Sequence, residues 1–440
     1  WIAAQAPVAR DLDDTWIADF LSVGHSLEVE RTACRHIRRL APAHILSIVD
    51  GRATLRRYWR LDVHEPLYYP DRRLYAERFL DLMSQSMADR LPAGRVGISM
   101  SGGLDSTTLA ACAVRATGDP ARVVAHCLHY EKLIPDDEKH FSALAAGQLG
   151  IELKLCAMDD LTYDPQWRSR SIATIEPQAS IVAAYPHRAV AREQATAAEV
   201  WFHGEGPDNA LVSERDAYLG WLVGRRDWRR LGEAALLYVR AKGLAGWMQT
   251  LRRYRGRRPT VDDAFTVPPW LDRALVDRLD LKERLRGVGA VSAPPRTPPH
   301  PWHPRAIASF NDPIWASVFG DFDFEETLAP LVWRHPFLDL RVLKFMLSLP
   351  PIPWGWEKLL LREAMQSRLP DPVLSRRKSP LAGFPLTLLI RAQGLPDLSR
   401  NAQLKGYVDI DALPNGIHSE RDLQQIVAVH ALDHWLEARA

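Results

Sequence analysis

Apolar positions follow two rhythms along this chain. From Asp71 onward, Leu74, Phe79, Leu82, Met83 and Met87 fall at helical spacing, which predicts a helix opening near Asp71. Beyond it, short apolar runs take over: Val96–Met100, Val123–Leu128, Glu152–Ala157 and Val200–His203. Between the first two lies Thr107–Ala116, a strong helix former. Between the second and third lies Glu138–Leu149, with Phe141, Leu144, Ala145 and Leu149 on one face. Strand, helix and strand in this order predict a parallel sheet covered by helices. Ahead of it, Ile45–Val49 and Ala53–Trp59 read as two strands joined at Asp50-Gly51, a hairpin turn. A polar linker containing Pro66 and Pro70 separates that hairpin from the helix.

After about Ser213 the pattern becomes helical. Arg252, Arg253, Arg255, Arg257 and Arg258 form a basic segment, read as a solvated helix end and loop. Val291–Pro304 holds six prolines and no periodicity, so a loop is expected there. The last hundred or so residues return to helical spacing. No internal repeat is visible.

Composition narrows the class. The 440 residues are 47% apolar and 25% charged, as in a globular protein. Fifty-six basic residues balance 54 acidic ones, for a net charge of +2. A wholesale nucleic-acid binder would carry a larger basic excess. Leu331–Trp356 is apolar but broken by Arg334, His335, Asp339, Arg341 and Lys344, so no membrane span is expected. Cys34, Cys112, Cys127 and Cys156 form no CxxC pair, which disfavours a disulfide framework or zinc site and fits a reducing cytoplasm. No signal peptide is visible. The chain starts at Trp1, so the native start is expected to lie upstream.

The sharpest chemical signal is Ser101-Gly102-Gly103-Leu104-Asp105-Ser106, directly after one strand and before a helix. A strand delivers the chain to the sheet edge, the glycines turn it, and the helix N-terminus adds partial positive charge. With the serine hydroxyls this makes a cradle for a pyrophosphate. It is not a Walker P-loop, since no GxxxxGK[ST] occurs. A second group, Gly204-Glu205-Gly206-Pro207-Asp208-Asn209, follows the Val200–His203 run. In a doubly wound sheet both loops face one crevice, so Asp208 is expected opposite Asp105. Two carboxylates facing a triphosphate suit Mg²⁺. Arg376-Arg377-Lys378 reads on spacing as a basic helix end, Leu374–Lys378, stopped by Pro380.

The first motif resembles the PP-loop of the ATP pyrophosphatases. In order, SGGLDSTTLAA, GEGPDNAL, Pro336–Asp339, Lys358–Met365 and Arg376–Lys378 resemble the synthetase domain of the asparagine synthetase B family, from about residue 70 to 395. That implies an α/β fold: a doubly wound parallel sheet of the adenine-nucleotide α-hydrolase type with a large helical elaboration over residues 70–440. It also implies that residues 1–69 are the C-terminal part of a glutaminase-like α+β domain. Pro42, the hairpin and Tyr58-Trp59 resemble that domain's closing segment.

Details lean away from asparagine synthetase, which usually reads Gly-Glu-Gly-Ala-Asp-Glu where Pro207 and Asn209 stand here. His335–Asp339, Arg377–Gly383 and Leu349–Trp356 resemble the lasso-peptide cyclases. The resemblance implies an ATP- and Mg²⁺-dependent ligase that adenylates an Asp or Glu side chain and closes a macrolactam on an N-terminal amine. It implies phosphate contacts from Ser99, Ser101, Gly102, Gly103, Leu104, Asp105, Ser106, Gly204 and Gly206. Asp105 and Asp208 would hold the metal, and Lys378 and Glu205 would be catalytic. Asp137-Glu138 resembles a further acidic pair of the family. The partners implied are a lasso precursor peptide as substrate and a leader peptidase, with no membrane and no nucleic acid. The alternatives are a glutamine-dependent asparagine synthetase, a β-lactam synthetase-like enzyme, a PP-loop tRNA-modifying enzyme using Arg252–Arg258, or a non-catalytic peptide-binding module. Glutamine hydrolysis would need a cysteine at the mature N-terminus.

Overall fold

The computed structural model describes residues 11–160, 174, 176–178, 187–240, 266–286, 288, 300–377, 383, 385–395, 397–399, 401–414, 416–417 and 419–439. The basic segment at 252–258 and most of the proline-rich stretch lie outside them.

Helix α1, Asp14–Val23, starts at a residue made for it. The Asp13 carboxylate accepts the Trp16 N–H at 3.0 Å. The hairpin follows as β1, His44–Val49, and β2, Arg52–Arg57, with Asp50 and Gly51 both at positive φ in the turn. Helix α2, Arg73–Ala88, buries the Phe79, Leu82, Met83 and Met87 face read from the sequence.

The central sheet has five parallel strands: β3 Val96–Ser99, β4 Val123–His129, β5 Glu152–Ala157, β6 Val200–Phe202 and β7 Val332–Arg334. Their order across the sheet is β5-β4-β3-β6-β7. The chain winds outward from β3 through β4 to β5, then returns to the other side of β3 for β6 and β7. Direction therefore reverses between β3 and β6, which leaves a crevice at their carboxyl ends. The four predicted strands and both intervening helices are present. Strand β7 was not foreseen: three residues ending in Arg334 give too short a pattern to read.

Helices α3, Leu104–Thr117, and α4, Glu138–Leu149, follow β3 and β4. Alanines at 110, 111 and 113 let α3 lie close to the sheet, where they are buried with Leu109. Gly97 on β3 pairs with Trp201 on β6, and the indole fills the space where a Cβ would stand. A second core joins α1 to the C-terminal helix, Glu420–Arg439, with Trp16, Ile17 and Leu21 beside Ile426, Leu432 and Trp435. Asp19 of α1 is fully buried there and is held by Arg284 through two hydrogen bonds of 2.6 Å. Among the described residues, no helix is long and apolar enough to cross a membrane. None of the four cysteines forms a disulfide.

Candidate active site

The loop after β3 and the loop after β6 open side by side at the point where the winding reverses. Gly102 makes the first turn. Its φ is +60°, and a Cβ there would stand 2.8 Å from the Ser142 amide and 2.9 Å from the Glu138 carbonyl of α4. Only glycine meets both conditions. The loop is tied internally: the Ser101 N–H donates to the Ser106 hydroxyl at 3.1 Å, and that hydroxyl donates to the Gly103 carbonyl at 3.2 Å. Helix α3 starts at Gly103 with no side chain capping it. Its first N–H groups and dipole therefore point at the crevice, as an anion site requires.

The crevice is a cavity of about 500 Å³. Ser99, Ser101, Gly103, Leu104, Asp105, Ser106, Gly204, Glu205, Gly206 and Asp208 all line it. Of the residues read as a site, Gly102 shapes the turn from behind, and Lys378 lies outside the described residues. Asp105 and Asp208 meet one cation. The Lys358 ammonium pairs with Asp105 and stands 2.6 Å from Asp208. Two carboxylates gathered on one positive charge fit Mg²⁺, which needs one or two protein carboxylates and takes phosphate oxygens and water for the rest. Among the described residues, no group of three or more His, Cys, Asp or Glu side chains is placed to hold a metal ion.

Lys358 is the residue the motif reading passed over. It opens the Lys358–Met365 motif, to which the resemblance assigns no role. Its backbone is unusual: Glu357 and Lys358 both occupy the left-handed region, at φ +45° and +56°. Arg362 holds the neighbouring segment, donating to the carbonyls of Leu374 and, at 2.9 Å, Arg376. The expected helix end at Leu374–Lys378 needs correction. The helix stops at Ser375, and Arg376 turns inward to Glu138 at 3.2 Å and over the Phe141 ring. The partly buried carboxylate of Glu138 draws it off the helix. Burial raises the pKa of Glu138, and Arg376 opposes that rise. Of the acidic pair, Asp137 stands at the N-cap position of α4 without a side-chain capping bond, and Glu138 lines the cleft.

Glu205 stands 3.7 Å from Nδ1 of His203. The His203 ring packs against Phe322, Trp333 and His335. Burial lowers the pKa of His203 to about 4; His335 falls to about 4 as well, through burial and then the nearby His203 and Arg334. Both imidazoles are therefore neutral near pH 7.

The model of the asparagine synthase family matches residues 78–305 and 328–437, well over half of the chain. The chain belongs to that family. Asparagine synthase membership supports an ATP-dependent, amide-forming ligase of the PP-loop kind. No curated protein matches the chain. Among solved structures, the U34-tRNA thiolase NcsA from Methanococcus maripaludis, with its 4Fe-4S cluster, is similar at 12% identity. That match covers 57% of this chain and 78% of the thiolase, at a TM-score of 0.24.

Proposed function

We propose that this asparagine synthase family member is a lasso-peptide macrolactam synthetase. It joins a side-chain carboxylate of a leaderless core peptide to that peptide's N-terminal amine, using ATP and releasing AMP and pyrophosphate. The observation that carries the ligase part is the convergence of Asp105 and Asp208 on the Lys358 ammonium beside the uncapped start of α3. The peptide part is supported by His335–Asp339, Leu349–Trp356 and Arg377–Gly383.

The uncapped N-terminus of α3 and the Ser101 and Ser106 hydroxyls receive the phosphates. Asp105 and Asp208 would hold Mg²⁺, which neutralises charge on the phosphate oxygens when bound. Lys358 gives up its place between the two carboxylates and turns to phosphate. Glu205, beside the His203 ring, takes a proton from the attacking amine nitrogen. Lys378 steadies the oxyanion on the carbonyl under attack. Holding both ends of one peptide in reacting geometry supplies the remaining advantage.

Residues 1–69 are read as the C-terminal part of a glutaminase-like domain. A two-stranded hairpin exposed on both faces supports this, because such a sheet needs cover. Helix α1, in contrast, shares its core with the C-terminal helix. Four cysteines that form no disulfide support a cytoplasmic setting, with a leader peptidase as the partner that frees the amine.

The test is mass spectrometry on the protein with ATP, Mg²⁺ and a leaderless core peptide, with AMP and ADP quantified. A peptide lighter by one water together with AMP is expected. AMP with an unchanged peptide would overturn the macrolactam reading, and ADP in place of AMP would overturn the adenylating chemistry.

A further inference from the structure

A second cavity adjoins the phosphate cleft. It encloses about 990 Å³, and Glu357 and Arg362 line both spaces. A ligand in the larger one therefore ends against the wall that carries Lys358. Ligand cavities usually span about 300–1,000 Å³, so this one suits a peptide segment and is oversized for a single amino acid.

Its charges are mostly committed, and the commitment is informative. Arg72 pairs with Glu363. Arg215 donates to Asp216 at 2.6 Å and to the Tyr238 hydroxyl at 2.7 Å. Arg362 is spent on backbone carbonyls. The buried Glu214 carboxylate accepts from the His303 ring and from the N–H groups of Arg305 and Ala306, each at 2.8 Å. The Arg240 and Arg305 side chains, both on this cavity's wall and exposed, reach no carboxylate or acceptor among the described residues. Of the acidic residues on the described wall, Asp216 is paired with Arg215 and Glu214 with His303, and Glu357 stands on the shared side. Tyr238 and Trp356 form an edge-to-face pair beside them, with ring centroids 5.6 Å apart.

We infer that this cavity seats the part of the peptide substrate beyond its reacting group. It binds a segment bearing a carboxylate, held by Arg240 and Arg305, next to an aromatic or aliphatic side chain against Tyr238 and Trp356. The inference rests on the ligase reading and names its substrate class and the residues that select it. Arginine presents a planar fork that matches a carboxylate, and two such forks in a concave, partly apolar space favour an anionic peptide. Single-stranded nucleic acid favours an extended basic groove with stacked rings. Here the other arginines already hold protein partners.

The probe is a short fluorescein-labelled peptide with one glutamate and one phenylalanine near a free C-terminus. Companion versions replace Glu with Gln, or the terminal carboxylate with an amide. Anisotropy is read on the full chain and on the Arg240→Gln/Arg305→Gln variant, with binding of a fluorescent ATP analogue as the control for folding. The variant should bind the probe about tenfold more weakly, as loss of a charged anchor does, and the ATP analogue unchanged. Whichever companion peptide reproduces that loss identifies the carboxylate as side-chain or C-terminal. Equal binding by variant and wild type, no binding by wild type, or a Gln and amide peptide that binds as well as the parent would each overturn the inference. So would a short single-stranded RNA that displaces the probe and itself loses affinity in the variant. AMP formation is measured in parallel. AMP without any effect of the variant on the peptide KM sinks the cavity assignment alone, and the probe result without AMP under any condition sinks the ligase reading.

Discussion

Lys358 reaches Asp105 and Asp208 from a backbone that L-residues avoid. Each left-handed residue costs about 1–2 kcal/mol, and Glu357 and Lys358 are two in succession. Such strain persists only when the surroundings enforce it. Here the Glu357 carbonyl is fixed by Arg362 at 2.7 Å, and the lysine head by two carboxylates. Glu357→Gly removes part of the strain, so the variant should have a raised Tm by calorimetry, by about 0.5–1 kcal/mol of stability. It should also form AMP more slowly, because the lysine is less well held. An unchanged Tm would show that the turn is not strained. Asp105→Asn and Asp208→Asn should each lower AMP formation by about 10²–10³-fold, the scale of one lost electrostatic contact to a charged transition state. The partly buried His203 and His335 give a pH signature. Their folded pKa values, about 4, lie below the ordinary 6.5. Their contribution is therefore complete above pH 6.5 and is lost as pH falls toward 4. Urea midpoints should drop across that window, and His203→Phe should flatten the drop.

At the scale of elements, the sheet order makes the site. Because β3 and β6 are neighbours at the reversal, their two loops face each other without further adjustment. Gly102→Ala tests this, since its Cβ would collide with the α4 backbone. Binding of a fluorescent ATP analogue should fall at least tenfold, roughly the effect of misplacing one cradle amide, while far-UV circular dichroism stays the same. Strands β3 to β6 and helices α3 and α4 were legible because each carries a local periodicity, and both glycine loops because their residue types are demanding. Lys358 was not legible. Its partner Asp105 lies 253 positions away, and the contact exists only once α2, α3 and the segment before Leu359 have packed. Arg376 was misread for the same reason. Its spacing fits a helix end, and only the fold brings Glu138 to it. Strand β7 was lost to its length, with two apolar residues before Arg334.

At the scale of the molecule, the second core is tied across a long stretch of sequence by Asp19 and Arg284. Arg284→Met strands a fully buried carboxylate and should cost about 3–5 kcal/mol, read as a lower urea midpoint. The double variant Asp19→Leu/Arg284→Met should recover most of that loss, which a packing defect alone would not allow. The paired apolar residues of the hairpin set a different property. Leu46, Ile48 and Leu55 share one face of β1 and β2 and are exposed by 50%, 69% and 58%. Both outer edges of the ribbon are without a neighbouring strand among the described residues. A net charge of only +2 gives little repulsion to keep two such ribbons apart. Colloidal behaviour is therefore written into fourteen residues far from the chemistry: light scattering should rise with concentration near neutral pH, and Ile48→Lys should suppress it while leaving nucleotide binding as it was.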